Sequence, residues 1–128
     1  ETIDESSLRK TVDFVAEKKM AAMCLPAYGS EFYKLAEAER ERVIGTAIEV
    51  NAGRIPVVAQ ANHGSSKIAS ERARRYEAMG ADVISFAMPR QFGATDADLL
   101  QYAGRGRTRG RMICLDRCCR LSISPCRI

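Results

Sequence analysis

Residues 54–89 read RIPVVAQANHGSSKIASERARRYEAMGADVISFAMP, and this stretch decides the fold. Arg54–Ala61 is continuously apolar at its centre, the pattern of a strand buried on both faces as in a parallel sheet. NHGSS is then a loop, with Ser65 or Ser66 placed to cap a helix. Lys67–Met79 carries the helical pattern and ends at Gly80, a usual stop signal. Ala81–Pro89 is a second buried strand. Strand, helix and strand in that order, with short connections, make a right-handed parallel βαβ unit.

The pattern extends in both directions. Upstream, Ala36–Asn51 is a helix with Val43, Ile44, Ala47, Ile48 and Val50 as its apolar side, stopped by Asn51-Ala52-Gly53. Met20–Pro26 is a short buried strand. Asp4–Lys18 is a first helix, with Leu8, Val12 and Val15 at helical spacing and Asp4 or Ser6 as its cap. Downstream, RQFGA is a loop and Thr95 caps Asp96–Ala103, with Asp98 set for a capping box. The resulting α-β-α-β-α-β-α order fits an open doubly wound sheet or a piece of a (β/α)8 barrel. Neither G-x-G-x-x-G nor G-x-x-x-x-G-K-[ST] occurs, so a nucleotide-binding sheet has no motif support.

Composition changes sharply after Ala103. Residues 104–128 hold seven arginines against Asp116, so that segment is +6 within a chain of net +4, and the body is −2. Cys114, Cys118, Cys119 and Cys126 crowd the same segment as C-x3-C-C-x6-C, which matches no usual zinc spacing. No metal site or cofactor is expected. Three readings of the segment compete: an Arg-Gly stretch that binds nucleic acid, a disordered linker, or translation out of frame. The expected division is therefore 1–103 as the α/β body and 104–128 as an irregular, Arg/Cys-rich tail. No apolar run approaches the roughly 20 residues that span a bilayer, and the N-terminal residues show no secretion signal, so a cytoplasmic location is expected.

The residues EFYKLAEAERERVIGTAIEVNAGRIPVVA from Glu31, and SERARRYEAMGADVISFAMP from Ser70, resemble the dihydrodipicolinate synthase and N-acetylneuraminate lyase family. The specific marks are Glu31, Leu35 before E-x-E-R, Gly53–Val57 and Glu77–Asp82. The resemblance implies a (β/α)8 barrel, here a partial one lacking its first strand. It also implies a carbon–carbon or carbon–oxygen lyase that works on pyruvate or another 2-oxo acid through a lysine Schiff base. The parent of such a fragment is expected to be a homo-oligomer.

Residue by residue the resemblance is uneven. The family's G-[TS]-T-G-E motif, which holds the oxo-acid carboxylate, falls on Ala27, Tyr28, Gly29, Ser30 and Glu31, and only Glu31 is kept. Backbone N–H groups of that turn, the Tyr28 hydroxyl and Ser30 are the candidate carboxylate holders, against a reading in which Tyr28 packs and Ser30 caps. The tyrosine of the family's P-x-Y pattern falls on Gln91, which cannot serve as a general acid. Arg90 is a candidate for an acidic substrate, or a solvated surface charge. Gln60, Asn62 and His63 end the next strand. His63 is either a proton shuttle or a loop histidine bonded to its own turn. Lys18, Lys19, Lys34 and Lys67 do not map to the Schiff-base position, so the fragment is expected to be inactive by the family route. The alternative is a non-catalytic α/β piece with a nucleic-acid-binding Arg-Gly tail, although nucleic acid is not the favoured partner.

Overall fold

A computed structural model describes residues 2–87, 95–105, 111–115 and 121–122. The order of elements is α1 (Glu5–Glu17), β1 (Met23–Leu25), α2 (Glu37–Asn51), β2 (Val57–Gln60), α3 (Ser66–Met79), β3 (Val83–Ala87), α4 (Asp96–Arg105), β4 (Arg111–Leu115) and β5 (Leu121–Ser122). The strands form one sheet in the order β1-β2-β3-β4-β5. The first three pairings are parallel and β5 runs antiparallel to β4.

The helix starts follow local chemistry. Asp4 accepts a hydrogen bond from the Ser7 N–H at 3.0 Å and starts α1. Thr95 and Asp98 exchange hydrogen bonds at the start of α4, completing the box expected there. Ser65 stands at the N-cap of α3, but its side chain makes no capping bond. At the end of α2, Ala52 and Gly53 both take positive φ, 48° and 73°. Asn51 closes that connection: its Nδ2 donates to the Ile55 carbonyl at 2.7 Å, and its Oδ1 accepts from the Ile55 N–H at 3.2 Å.

The two faces of the sheet differ. Parallel partners share a face, so the registers Leu25↔Ala59↔Ile84 and Cys24↔Val58↔Val83 define opposite faces. On one face Ala59, Ala61, Ile84 and Phe86 pack with Ile44 of α2 and Tyr76 of α3. A second cluster joins Met23 and Val57 to Val12 of α1 and Ala47 of α2. The other face is uneven: Cys24 is exposed, Val58 and Val83 are half-buried, and Gln60 and Ser85 are buried. Burial on both faces was the sequence expectation. Helices cover only one face completely, as expected of a barrel arc whose inner side is not enclosed.

Residues 104–128 are not irregular throughout. Arg111–Leu115 pairs in parallel with β3, and Leu121–Ser122 returns against it. The apolar run Met112–Leu115 is short enough to have been read as part of a tail, yet it suffices to extend the sheet.

Candidate functional site

In parallel α/β sheets, ligands bind at the C-terminal ends of the strands. Here that edge carries the ends of β1, β2 and β3 and the segments after Leu25 and Gln60. The chain leaves β1 through a cis Leu25–Pro26 peptide and enters two 3₁₀ turns, Tyr28–Ser30 and Phe32–Lys34. The Ser30 N–H donates to the Ala27 carbonyl at 3.0 Å and closes the first turn. Glu31 between the turns has φ 47° and ψ 43°, a left-handed conformation that costs a non-glycine residue about 1–2 kcal/mol. Such strain persists where surrounding structure enforces it, commonly at ligand sites. The Glu31 carboxylate is exposed and pairs with Lys34 Nζ at 2.9 Å. A Cβ built on Gly29 would meet nothing within 4 Å, so the backbone of this turn borders open space.

Asn62 and His63 follow β2. Asn62 Oδ1 accepts the Ala87 N–H at 2.5 Å, which ties the end of β2 to the end of β3. Its Nδ2 is buried with no partner, as are Gln60 Oε1 and Ser85 Oγ. These three residues share the inner face, by the Gln60↔Ser85 register and the alternation along β2. His63 Nδ1 accepts the Ser65 N–H at 2.9 Å, and its carbonyl accepts the Tyr102 hydroxyl at 2.7 Å. With Nδ1 accepting, the neutral ring carries its proton on Nε2. The imidazole is thus bonded to its own turn, one of the two readings raised by the sequence, and Nε2 remains available for the other.

The structure brings Gly29, Ser30, Asn62 and His63 to the same edge of the sheet. Arg90, Gln91 and the side chain of Tyr28 lie outside the described residues. Sequence reasoning missed Arg40, Glu37 and Arg72, through which the helices reach the carbonyls of Phe32, Leu35 and Asn62. Arg40 sits in the charged run Glu37–Arg42 at the start of α2, yet it is 5% exposed. Its Nη2 donates to the Phe32 carbonyl at 2.5 Å and its guanidinium lies 4.9 Å from the Phe32 ring centre. Burial, then the nearby Arg72 charge, lower its pKa from the usual arginine value. The only sequence signal for Arg40 was its place on the Ile44–Ala47 side of α2.

Another concavity, bordered by Glu17, Met20, Arg54 and Pro56, lies at the opposite, N-terminal ends of the strands. Among the described residues no cluster of His, Cys, Asp and Glu could hold a metal ion. None of their helices is long and apolar enough to cross a membrane.

Comparison with known proteins gives a consistent result. The model of the dihydrodipicolinate synthetase family matches residues 1–105. The L-2-keto-3-deoxyarabonate dehydratase of Azospirillum brasilense is 30% identical over 107 residues, covering 80% of this chain and 34% of the relative. A protein of Methylobacterium radiotolerans named "Probable 5-dehydro-4-deoxyglucarate dehydratase" is 36% identical over 101 residues, covering 79% of this chain and 33% of the relative. A crystal structure of a dihydrodipicolinate synthase superposes with a TM-score of 0.84 at 22% identity, over 87% of this chain and 39% of that one. The chain thus spans about a third of the length of these curated relatives.

Proposed function

The chain belongs to the dihydrodipicolinate synthetase family, and on that premise we propose that it is the early-strand portion of a lyase or synthase acting on a 2-oxo acid through a Schiff base. The observation that carries this reading is the Ala27–Glu31 turn. It stands at the C-terminal end of β1, its backbone borders open space at Gly29, and Asn62 and His63 end the adjacent strand. Backbone N–H groups of that turn would receive the substrate carboxylate, a role that survives the loss of the family's hydroxyls. Tyr28 and Ser30 would add hydroxyl donors, and Arg90 a positive charge at the end of β3. His63 Nε2 is the candidate proton carrier where Gln91 replaces the family tyrosine.

The two relatives are named as dehydratases of keto-deoxy sugar acids. Their names favour a carbon–oxygen lyase on a hydroxylated 2-oxo acid over pyruvate condensation. In that chemistry an amine condenses with the keto carbon and releases water. Loss of a proton from the neighbouring carbon gives an enamine; the enamine expels the hydroxyl of the next carbon, which leaves as water with that proton, and hydrolysis of the resulting imine frees the product and the amine. The amine would come from a lysine outside the family match seen here, so this chain alone has no activity by that route. The proposal includes a homo-oligomeric, cytoplasmic parent. It divides the chain into a catalytic-fold portion, 1–103, and an Arg/Cys-rich segment, 104–128, of which the family match includes only the first two residues. A nucleic-acid-binding role for the arginines of 104–128 is the second reading, favoured by their +6 charge.

Titration of the 128-residue chain with pyruvate, followed by amide NMR, tests the carboxylate turn. Shifts concentrated at residues 27–31 and 62–63 are expected. Saturable shifts confined to the opposite groove at Met20 and Arg54 would contradict the assignment.

A further inference from the structure

The two turns of the site lie beyond the last paired residues of their strands, since β1–β2 pairing ends at Leu25↔Ala59. No sheet ladder sets one turn against the other. Side chains from the helices span the gap instead. Arg40 holds the first turn through the carbonyls of Phe32 and Leu35. Arg72, on α3, donates its Nη1 to the Asn62 carbonyl in the second turn. The other side of Arg72 forks onto Glu37, with Nε at 2.7 Å from Oε1 and Nη2 at 2.5 Å from Oε2. Glu37 stands one helical turn before Arg40 on α2, so its carboxylate lies on the Arg40 side of the helix. Its charge favours the Arg40 guanidinium while that of Arg72 opposes it. The side chain of Arg72 is 10% exposed and that of Glu37 41%, so solvent screens this exchange only on the carboxylate side.

We infer that Arg40, Glu37 and Arg72 form a single positioning clamp that fixes the Glu31–Leu35 turn relative to the Asn62–His63 turn. The inference rests on the reading of the Ala27–Glu31 and Asn62–His63 turns as the site, the clamped Glu31–Leu35 turn being the segment that directly follows the first; the three residues position it and touch no substrate. Glu37 bonds Arg72 directly and acts on Arg40, one helical turn away, through its charge alone. Without its charge, two poorly solvated guanidinium groups repel each other, and each loses its hold on its turn. Arg40 Nη1 is buried with no partner, so Arg40 has no further anchor on that nitrogen.

Amide hydrogen exchange on the full 128-residue chain tests the clamp. The reporters are the Lys34 and Leu35 amides in the first turn and the Ser65 amide, bonded to His63, in the second. Glu37→Gln is expected to speed exchange about tenfold or more at all three, with the Leu8 amide of α1 unchanged. Glu37→Asp, which restores the charge, is expected to recover part of the protection at both turns. Acceleration at Ser65 alone would show that Glu37 serves only Arg72 and would overturn the clamp. So would a uniform rise that includes Leu8, or no recovery with aspartate. If Glu37→Gln does not fold, Arg72→Lys decides the matter. It keeps the charge beside Glu37 but cannot reach Glu37 and Asn62 together, so it should release Ser65 and spare Lys34 and Leu35. Release of both turns or of neither would overturn the proposal. Pyruvate is absent from these measurements, so failure of the substrate reading and failure of the clamp are told apart.

Discussion

Replacing Asn51 with alanine should cost about 2–4 kcal/mol of folding stability. The Asn51 side chain is 2% exposed and makes two hydrogen bonds to the backbone of Ile55, itself 7% exposed. Each bond contributes roughly 0.5–1.5 kcal/mol, and a buried N–H or carbonyl left without a partner costs about 1–3 kcal/mol. Water reaches a residue this buried poorly, so the estimate lies nearer the unsatisfied limit than the net one. Urea denaturation followed by circular dichroism reads the change. With m of about 2 kcal/mol/M, the middle of the range for a small protein, the midpoint should fall by about 1–2 M while m is unchanged. Asn51→Asp sharpens the test. It keeps an acceptor for the Ile55 N–H but faces the Ile55 carbonyl with oxygen, so its deficit should shrink when acid protonates the carboxyl. A loss below about 0.5 kcal/mol for Asn51→Ala would refute the argument that this side chain joins α2 to β2.

Two further outcomes follow from particular groups. The Asp4 pKa is held below the ordinary aspartate value of 3.8, chiefly by the Ser7 backbone N–H and then by its hydroxyl. A lowered folded pKa means that the contribution of Asp4 is complete above 3.8 and is lost as pH falls through the folded value. Exchange of the Ser7 amide should therefore accelerate with acid in the wild type, and Asp4→Asn should remove that dependence. The Tyr76 hydroxyl is buried without a partner. Tyr76→Phe removes an uncompensated polar group and should raise stability by about 1 kcal/mol, seen as a higher melting temperature; a loss of that size would reveal a hydrogen bond there.

Features set by near neighbours in the chain were legible in the sequence. Asp4 and the Thr95–Asp98 box act across three residues, and Asn51-Ala52-Gly53 marks the end of α2 by composition alone. The βαβ order was equally clear, because Val57, Ile84 and Phe86 fall in short apolar runs. The covered face of each strand was not clear, since continuous apolar sequence hides the alternation that Gln60 and Ser85 reveal. The clamp was invisible for another reason. Glu37 and Arg72 are 35 residues apart, and an arginine on a charge-rich helix reads as solvated until a tertiary carbonyl meets it. Within the site, the family resemblance located the Tyr28–Glu31 turn. No local pattern separates the proposed carboxylate-binding role of this turn from that of an ordinary connection, because both use the same backbone groups.

The most direct test of the account is trapping with pyruvate and borohydride, followed by mass spectrometry. Two polypeptides are compared: the 128-residue chain, and one in which residues 1–103 continue into the remaining strands of a family barrel. The account predicts a covalent adduct on a lysine of the longer polypeptide and none on the 128-residue chain. Stoichiometric labelling of Lys10, Lys18, Lys19, Lys34 or Lys67 in the short chain would contradict it.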